Sequence, residues 1–311
     1  MLAPICLFVF NRPLHTKKVL DSLFTNKEAK DSVIYIFSDG PPEDASIEIL
    51  ESINLTRQII NNENRFQNLK IFESKYNFGL ANSIIKGVTE VCNLYGNVIV
   101  LEDDIILSPY CLKYFNDALE FYKNSNKIGA ICAYSYPFKY DSEMPETYFL
   151  NYNSCWGWAT WKRSWDNFEH DSIKLYNAIK QNKSISKFDF DDSCNHMEML
   201  KDHILRKNNS WAIRWAATLF LNGQLSLFPA KSLVENIGFD GSGVHSSNSL
   251  PYTINKANNF VSFFPNLEIE NIIIRKSLVV FFRKIRKLNK ITRIKRILSY
   301  SPMKILSKII K

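Results

Sequence analysis

The sequence predicts an α/β fold in which a mostly parallel sheet is flanked by helices. Short runs of β-branched and aromatic residues alternate with longer segments of helical periodicity through the first third of the chain. A strand-helix-strand order of this kind is typical of parallel sheets with right-handed crossovers. The run Val98–Leu101 is apolar throughout, as expected of a parallel strand that is buried on both faces.

The predicted elements follow one another at short intervals. Four strands are predicted early in the chain, at Ile5–Phe10, Val33–Phe37, Leu69–Phe72 and Val98–Leu101. Between them the periodicity predicts three helices, at His15–Phe24, Ala45–Asn61 and Leu80–Tyr95. Further along, helices are predicted at Leu112–Tyr122 and Ser210–Asn222, and strands at Ile128–Tyr134 and Leu225–Phe228. The body is expected to end near Pro265.

Polar side chains stand just beyond several of these strands. Asn11 and Arg12 follow the first strand, Asp39 follows the second, and Asp104 follows the fourth. In open α/β sheets, ligands bind in the crevice outside the carboxyl ends of the strands. We therefore expect a single cleft to bring together Arg12, Asp39 and Asp104.

Three consecutive carboxylates, Glu102, Asp103 and Asp104, end the fourth strand. They repel one another, and a buried carboxylate without a cation is costly. Carboxylate oxygens suit Mg²⁺ or Mn²⁺, which could hold the diphosphate of a sugar nucleotide. Because alternate side chains point to opposite faces, we assign Asp104 as the metal ligand and Asp103 to the ribose or a bridging water. The alternative is a solvated loop with helix-capping acids.

Arg12 and Asp39 each have a functional and a structural interpretation. Arg12 could place its guanidinium beside a diphosphate, or it could form a surface salt bridge. Asp39 could accept hydrogen bonds from a nucleobase or ribose, or it could close an Asx turn before Gly40.

Tryptophans are concentrated in the second half of the chain. Trp156 and Trp158 could stack on the rings of an acceptor sugar, although large aromatic residues more simply fill a core. We predict these two near the cleft, and we predict that Trp161 and Trp165 lie in the core. Residues 237–245 form a glycine-rich loop, and His245 at its end could complete the metal or phosphate site when the loop closes.

The net charge of +8 is unevenly distributed. The segment from Asn271 onward contains Lys and Arg but no Asp or Glu, whereas the rest of the chain has more acidic than basic residues. A body of this charge argues against nucleic-acid binding. The C-terminal segment reads as a helix with one apolar side and one basic side, which suits an anionic membrane surface. The alternative is a helix docked on the body or on a second subunit. The apolar side is formed by Leu278, Phe281, Phe282, Ile285 and Leu288.

The cysteines and the hydropathy bear on the cellular location. None of the six cysteines lies in a C-x-x-C pair, so no zinc ribbon or thioredoxin-like site is indicated. We expect reduced thiols in a cytoplasmic protein. The sequence has no apolar run long enough to span a membrane and no recognisable signal peptide.

Five motifs in this order resemble bacterial GT-A-fold sugar transferases, which are distantly similar to the eukaryotic N-acetylglucosaminyltransferase I. The resemblance extends over about Ala3 to His245. Its motifs are Phe8–Pro13, Phe37–Gly40, Asn77–Ala81, Val100–Asp104 and Ser154–Trp161.

The resemblance implies roles for several residues. Asp104 would bind Mn²⁺, Arg12 would touch the phosphates of the nucleotide, and Asp39 would contact a uridine. Residues 241–245 would form a mobile loop that orders over the donor. The implied donor is a UDP-sugar. Inverting relatives carry their acceptor base early in the helix before the glycine that matches Gly223, but 210–214 contains no carboxylate here. The base must then come from elsewhere, and we assign Asp240 as the substitute; the alternative is an enzyme that retains the anomeric configuration without a protein base.

These observations together predict a metal-dependent glycosyltransferase with a GT-A fold. It would move a sugar from a nucleotide donor to a hydroxyl of a glycan, which we expect to be a lipid-linked acceptor of bacterial capsule or O-antigen synthesis. We expect a catalytic domain over 1–265, divided at residue 108 into a nucleotide-binding half and an acceptor half, and a membrane-associated tail over 266–311. The second-subunit alternative for the tail allows an oligomer. The residues assigned to the nucleotide are Asn11, Arg12, Asp39, Asn77, Glu102 and Asp103.

Two alternatives belong to other classes of protein. A sugar nucleotidyltransferase should carry a glycine-rich phosphate loop with a nearby lysine after the first strand, and Asn11-Arg12-Pro13 lacks these features. A non-catalytic glycan-binding protein could keep the same fold without activity.

Overall fold

The computed structural model describes residues 1–139, 144–239, 252, 254 and 256–287. Within these ranges the chain forms ten strands. They are β1 (Ile5–Val9), β2 (Val33–Ser38), β3 (Asn68–Glu73), β4 (Asn97–Glu102), β5 (Ile105–Leu107), β6 (Ile128–Cys132), β7 (Thr147–Leu150), β8 (Trp158–Trp161), β9 (Leu225–Pro229) and β10 (Val234–Asn236).

The helices alternate with the early strands as the periodicity predicts. They are α1 (Pro13–Phe24), α2 (Ile47–Asn61), α3 (Leu80–Tyr95), α4 (Cys111–Phe121), α5 (Lys162–Trp165), α6 (Ser172–Gln181), α7 (Ile185–Phe188), α8 (His196–Ile204), α9 (Trp211–Leu221) and α10 (272–287). A short 3₁₀ helix, Lys27–Lys30, follows α1. Helix α3 has the predicted bounds and ends at Gly96, whose φ of 81° is the left-handed conformation that stops a helix.

Eight of the described strands form one mixed sheet in the order β3-β2-β1-β4-β8-β6-β9-β7. The four strands β3, β2, β1 and β4 are mutually parallel, and β8 is the first antiparallel strand beside them. Strands β5 and β10 pair separately as an antiparallel ribbon. The predicted α/β class, with a mostly parallel sheet between helices, is confirmed.

The strands of the parallel half bury both of their faces. Along β1, Ile5 and Leu7 pack against one layer of helices, which includes α1 and α4, whereas Cys6 and Phe8 pack against the other, which includes α3 and α9. This alternation follows from the two-residue period of a strand. Two-sided burial explains why these strands read as continuous apolar runs.

The C-terminal segment departs from the prediction. Helix α10 lies on the body, and Ile274, Leu278 and Phe282 pack with Tyr148 and other residues of the sheet. The apolar side that we predicted to contact a membrane is therefore buried against protein over residues 272–287, which is the docked alternative. The body consequently extends past Pro265. Residues 288–311 lie outside the described part of the chain.

The described helices include none that is both long enough and apolar enough to cross a lipid bilayer.

Candidate active site

A pocket of about 490 Å³ opens at the carboxyl ends of β1, β2 and β4. The parallel register sets Phe8 of β1 level with Phe37 of β2 and with Glu102 of β4, so the three strands end at the same edge. The residues that follow these strands therefore enter one space. A cavity of this size can hold a small ligand such as a nucleotide.

The pocket brings together eight of the residues predicted for the site. These are Asn11, Arg12, Asp39, Asn77, Glu102, Asp103, Asp104 and Trp156. The cleft expected from the strand ends is thus present, and Arg12, Asp39 and Asp104 all line it.

Arg12 faces the acidic cluster. Its Nη1 lies 3.2 Å from Oδ2 of Asp104 and 3.5 Å from Oδ1 of Asp103. The position follows from the local sequence, because Pro13 is the first residue of α1 and Arg12 stands at the helix boundary just beyond β1. One guanidinium nitrogen therefore serves two carboxylates.

The acidic cluster holds more negative charge than Arg12 neutralises. Burial, followed by repulsion from Asp104, raises the pKa of Asp103 to about 7. Burial and the charges of Asp104 and Asp103 raise the pKa of Glu102 well above its usual range. Burial also raises the pKa of Asp104, although Arg12 opposes the rise. These directions mark a site that favours the arrival of a further cation.

The donor atoms of this cluster fit a divalent cation. Asp103 and Asp104 offer carboxylate oxygens, the ligands that Mg²⁺ and Mn²⁺ prefer. Among the described residues, no three His, Cys, Asp or Glu side chains converge into a complete metal centre. Asp103 and Asp104 are the residues that would hold such a cation, which would supply charge stabilisation to a phosphate.

Asp39 organises the loop that borders the pocket. Its Oδ1 accepts hydrogen bonds from the backbone N–H groups of Gly40 and Phe78, both at 2.9 Å, and its Oδ2 accepts one from Gly79 at 2.8 Å. The bond from Gly40 is the Asx turn that was the structural alternative, and the other two bonds tie β2 to the start of α3. The predicted contact between Asp39 and a uridine stays a prediction.

Glycine is required at residue 40 because the loop that precedes α3 passes very close to its backbone. A Cβ atom at this position would lie 2.6 Å from the backbone of Tyr76. Nearby, Nδ2 of Asn77 donates to the carbonyl of Gly40 at 2.8 Å, and Arg57 donates to the carbonyls of Asp39 and Ser74. The loop before α3 is therefore held onto the end of β2 by backbone contacts that tolerate only glycine at residue 40.

Several pocket residues were missed by sequence reasoning. Phe8 and Phe37 line the pocket and stack on each other with ring centroids 5.1 Å apart. Asn236, at the end of β10, and Gly238 and Phe239, which follow it, also line the pocket. The pairing of β10 with β5 could not be read from sequence, because two strands of three residues give too little periodicity.

Gly238 lies directly against the acidic cluster. A Cβ atom there would stand 2.2 Å from Oδ2 of Asp104, so a larger residue would displace that carboxylate. The backbone N–H of Ile237 also donates to the carbonyl of Asp104 at 2.9 Å. Asn236 and Gly238 thus form part of the pocket lining beside the acidic cluster.

The two candidate acceptor tryptophans have different environments. Trp156 is half-buried, lines the pocket and packs edge-on against Tyr134 and Phe239. Trp158 is 0% exposed and packs against Trp211 and other core rings, so the prediction that it lies near the cleft is wrong. Gly157, with a φ of 67°, interrupts the extended backbone between the two, so the strand alternation does not carry across it.

The start of α9 does not supply a base to the pocket. Trp211 and Arg214 are buried, Arg214 donates to the carbonyls of Ser210 and His170, and neither residue lines the pocket. This agrees with the absence of a carboxylate from that stretch. Asp240, assigned as base, and His245, assigned as a metal ligand, lie outside the described residues.

No protein-family model and no curated protein matches the sequence. Among solved structures, the chain is similar to TarS residues 1–349 from S. aureus in complex with UDP (TM-score 0.39, 14% identity, 75% of this chain and 60% of that one). It is also similar to the mannosyltransferase PcManGT from Pyrobaculum calidifontis in complex with GDP-Man and Mn²⁺ (TM-score 0.38, 8% identity, 72% and 70%).

A third similar structure is the galactosyltransferase LgtC with donor and acceptor sugar analogues (TM-score 0.33, 11% identity, 58% of this chain and 66% of that one). The chain spans 36% of the longer TarS structure. Because all these TM-scores are low, we infer the function from the pocket's own residues.

Proposed function

We propose that this protein is a metal-dependent glycosyltransferase that uses a nucleotide-diphosphate sugar, with a UDP-sugar as the favoured donor. The proposal depends chiefly on one observation: Glu102, Asp103 and Asp104 share a pocket with Arg12 and keep raised pKa values there. The charged forms of these carboxyl groups are poorly compensated, so a bound cation would stabilise them, and a pyrophosphate leaving group needs cationic stabilisation.

The pocket has two kinds of lining residue. The aromatic rings of Phe8 and Phe37 and the loop anchored by Asp39 suit a nucleoside. Arg12, beside Asp104, has a guanidinium that can donate to the departing diphosphate. A divalent cation held by Asp104 would supply further charge stabilisation when bound. The chain's own residues would thus bind the base, orient the diphosphate and keep the carboxylates close to it.

The acceptor is proposed to enter beside Trp156. This half-buried ring and Phe239 present aromatic surface along the pocket wall, and aromatic faces stack well on sugar rings. We propose a glycan hydroxyl as the acceptor group, carried on a lipid-linked glycan of bacterial capsule or O-antigen synthesis at the cytoplasmic side of the membrane. From the sequence alone, we also assign Asp240 as the acceptor base and His245 as a further metal ligand.

The test is metal-dependent turnover by the full chain. The purified protein is incubated with a panel of nucleotide sugars and Mn²⁺, and release of the nucleoside diphosphate is measured. We expect turnover with at least one UDP-sugar, and we expect Asp104→Ala to lower the rate by roughly 10³-fold, the scale of losing a main charge-stabilising group.

A matched control keeps the comparison specific. Asp117 is a surface carboxylate that pairs with Lys113 at 2.8 Å, so Asp117→Ala should leave the rate unchanged. Full activity in Asp104→Ala would remove the metal assignment. Tight binding of a glycan without turnover of any nucleotide sugar would favour the non-catalytic alternative instead.

A further inference from the structure

Helix α10 has an inner side that is fixed to the body. Nη1 of Arg275 donates to Glu270 at 2.9 Å and its Nη2 donates to Asp191 at 2.8 Å, while its guanidinium lies over the ring of Phe190. Further along the helix, Arg283 and Arg286 donate to the backbone carbonyls of 191–192. The orientation of the helix is therefore set by charged and apolar contacts together.

The outer side of the same helix and the segment before it expose large apolar groups. Ile273 is 78% exposed and Val280 is 67% exposed, and Leu267 just before the helix is 67% exposed. Phe263, Ile269 and Ile272 are also more than half exposed. Six such side chains within 263–280 are many more than scattered surface residues would give, which marks an interaction surface.

Basic side chains lie on the same outer side of α10, toward the end of the helix. Lys276, Lys284 and Lys287 are exposed, and their spacing from Ile273 and Val280 places all five on one side of a helix. Within 263–287 the acidic residues are Glu270, which pairs with Arg275, and the half-exposed Glu268. This outer side is therefore a stripe that is apolar at its start and cationic at its end.

We infer that the outer side of α10, formed by Ile273, Lys276, Val280, Lys284 and Lys287, docks on an anionic lipid bilayer, with the exposed apolar side chains of 263–272 adjoining it in the chain. Apolar side chains would enter the interface, while lysines would extend their charged ends to the headgroups. The face differs from the apolar side predicted from the sequence, which is buried. None of these residues lines the strand-end pocket, so the inference stands apart from the proposed enzymatic function.

Pairing with a second copy of the chain fits this face less well. In a two-fold dimer the same stripe meets itself, either with lysines opposite lysines or with the apolar start opposite the cationic end. Either arrangement leaves exposed positive charge without a complementary surface. A surface rich in anionic headgroups complements both parts of the stripe at once.

The test compares vesicle binding by full-length variants. Ile273→Glu with Val280→Glu should lower co-sedimentation with phosphatidylglycerol-rich vesicles by at least about tenfold, because two apolar anchors become repelling charges. Lys276→Glu with Lys284→Glu should lower it to a similar extent, and binding of the wild type to pure phosphatidylcholine vesicles should be weak. The milder pair Ile273→Ser with Val280→Ser guards against misfolding, which thermal unfolding would reveal.

A control on another helix separates this face from general surface effects. Leu50 and Leu55 of α2 are also exposed, so Leu50→Glu with Leu55→Glu should leave vesicle binding unchanged. The inference would be overturned if the folded Ile273 and Val280 variants bound vesicles as well as the wild type does. It would also be overturned if the wild type did not bind anionic vesicles. A wild-type dimer that these variants convert to a monomer would overturn it in favour of self-association.

Discussion

Arg12 and Arg275 each face two carboxylates, but their clusters have opposite electrostatics. Arg275 makes separate hydrogen bonds to Asp191 and Glu270, and the bond from Arg275 lowers the pKa of Asp191. Arg12 instead shares one nitrogen between Asp103 and Asp104, whose pKa values burial raises. A cluster that its own chain neutralises stabilises the fold, whereas a cluster left with excess negative charge is suited to a ligand that carries positive charge.

The largest contrast should come from removing the two guanidinium groups. Arg12→Met should lower donor-dependent turnover by about 100-fold, because the diphosphate loses a charged donor. Arg275→Met should leave turnover per folded molecule nearly unchanged but should lower the free energy of unfolding by about 2 kcal/mol, less than for a fully buried pair since Asp191 is half exposed.

The two arginine variants should rank in the opposite order when stability is measured instead of activity. Arg12→Met should cost less free energy of unfolding than Arg275→Met, because Asp103, with a pKa of about 7, can take up a proton when its cation is lost. Denaturant unfolding at neutral pH and initial rates measure the two effects on the same preparations. Equal stability losses in both variants would contradict the distinction between the clusters.

A smaller effect should appear in the pH dependence of stability. The folded-state pKa of Asp103 is raised, so its ionisation destabilises the fold as the pH rises from about 4 toward 7. Asp103→Asn should therefore raise Tm by a few degrees at pH 8 and should change it little near pH 4.

The matched variant Asp191→Asn should have the opposite sign. The pKa of Asp191 is lowered in the fold, so its charged form stabilises the protein above its ordinary pKa, and this contribution fades as the pH falls. Asp191→Asn should lower Tm at pH 8. Thermal melts across this pH range test both variants, and shifts of the same sign would show that the clusters do not differ as described.

The smallest effect should be the response to Mn²⁺ alone. Binding at the acidic cluster should raise the Tm of the wild type by about 2–4 °C at saturating Mn²⁺, and Asp104→Asn should abolish the rise. Arg275→Met should keep it, because Arg275 and its partners Asp191 and Glu270 do not line the strand-end pocket. A rise of the same size in Asp104→Asn would place the cation elsewhere.

The strand-end part of the pocket could be read from the sequence because it depends on local rules. Apolar runs located the strands, and a parallel sheet brings the carboxyl ends of neighbouring strands to one edge, which is how Arg12, Asp39 and Asp104 could be grouped. The backbone bonds that occupy Asp39 could not be foreseen, since they come from residues 78–79, some forty positions along the chain.

The errors came from long-range packing. Amphipathicity correctly indicated an apolar side of α10, but it does not say whether lipid or protein covers that side. Trp158 was misplaced because one glycine in the left-handed conformation reversed the expected alternation after Trp156. The part of the pocket lining formed by Asn236 and Gly238 depends on a two-strand ribbon that only the folded chain assembles.

Strand β7 is an edge strand of the sheet, and a later segment of the same chain covers this edge. Phe149 forms a bridge with Glu270, and the backbone N–H of Asn271 donates to the carbonyl of Phe149 at 2.8 Å. A protein shortened before residue 270 would lose both this edge contact and the helix over Tyr148, leaving an open strand and a bare apolar surface that invite aggregation. Removal of the C-terminal segment would therefore measure damage to the fold, and point changes on the outer side of α10 are the sound way to study membrane attachment.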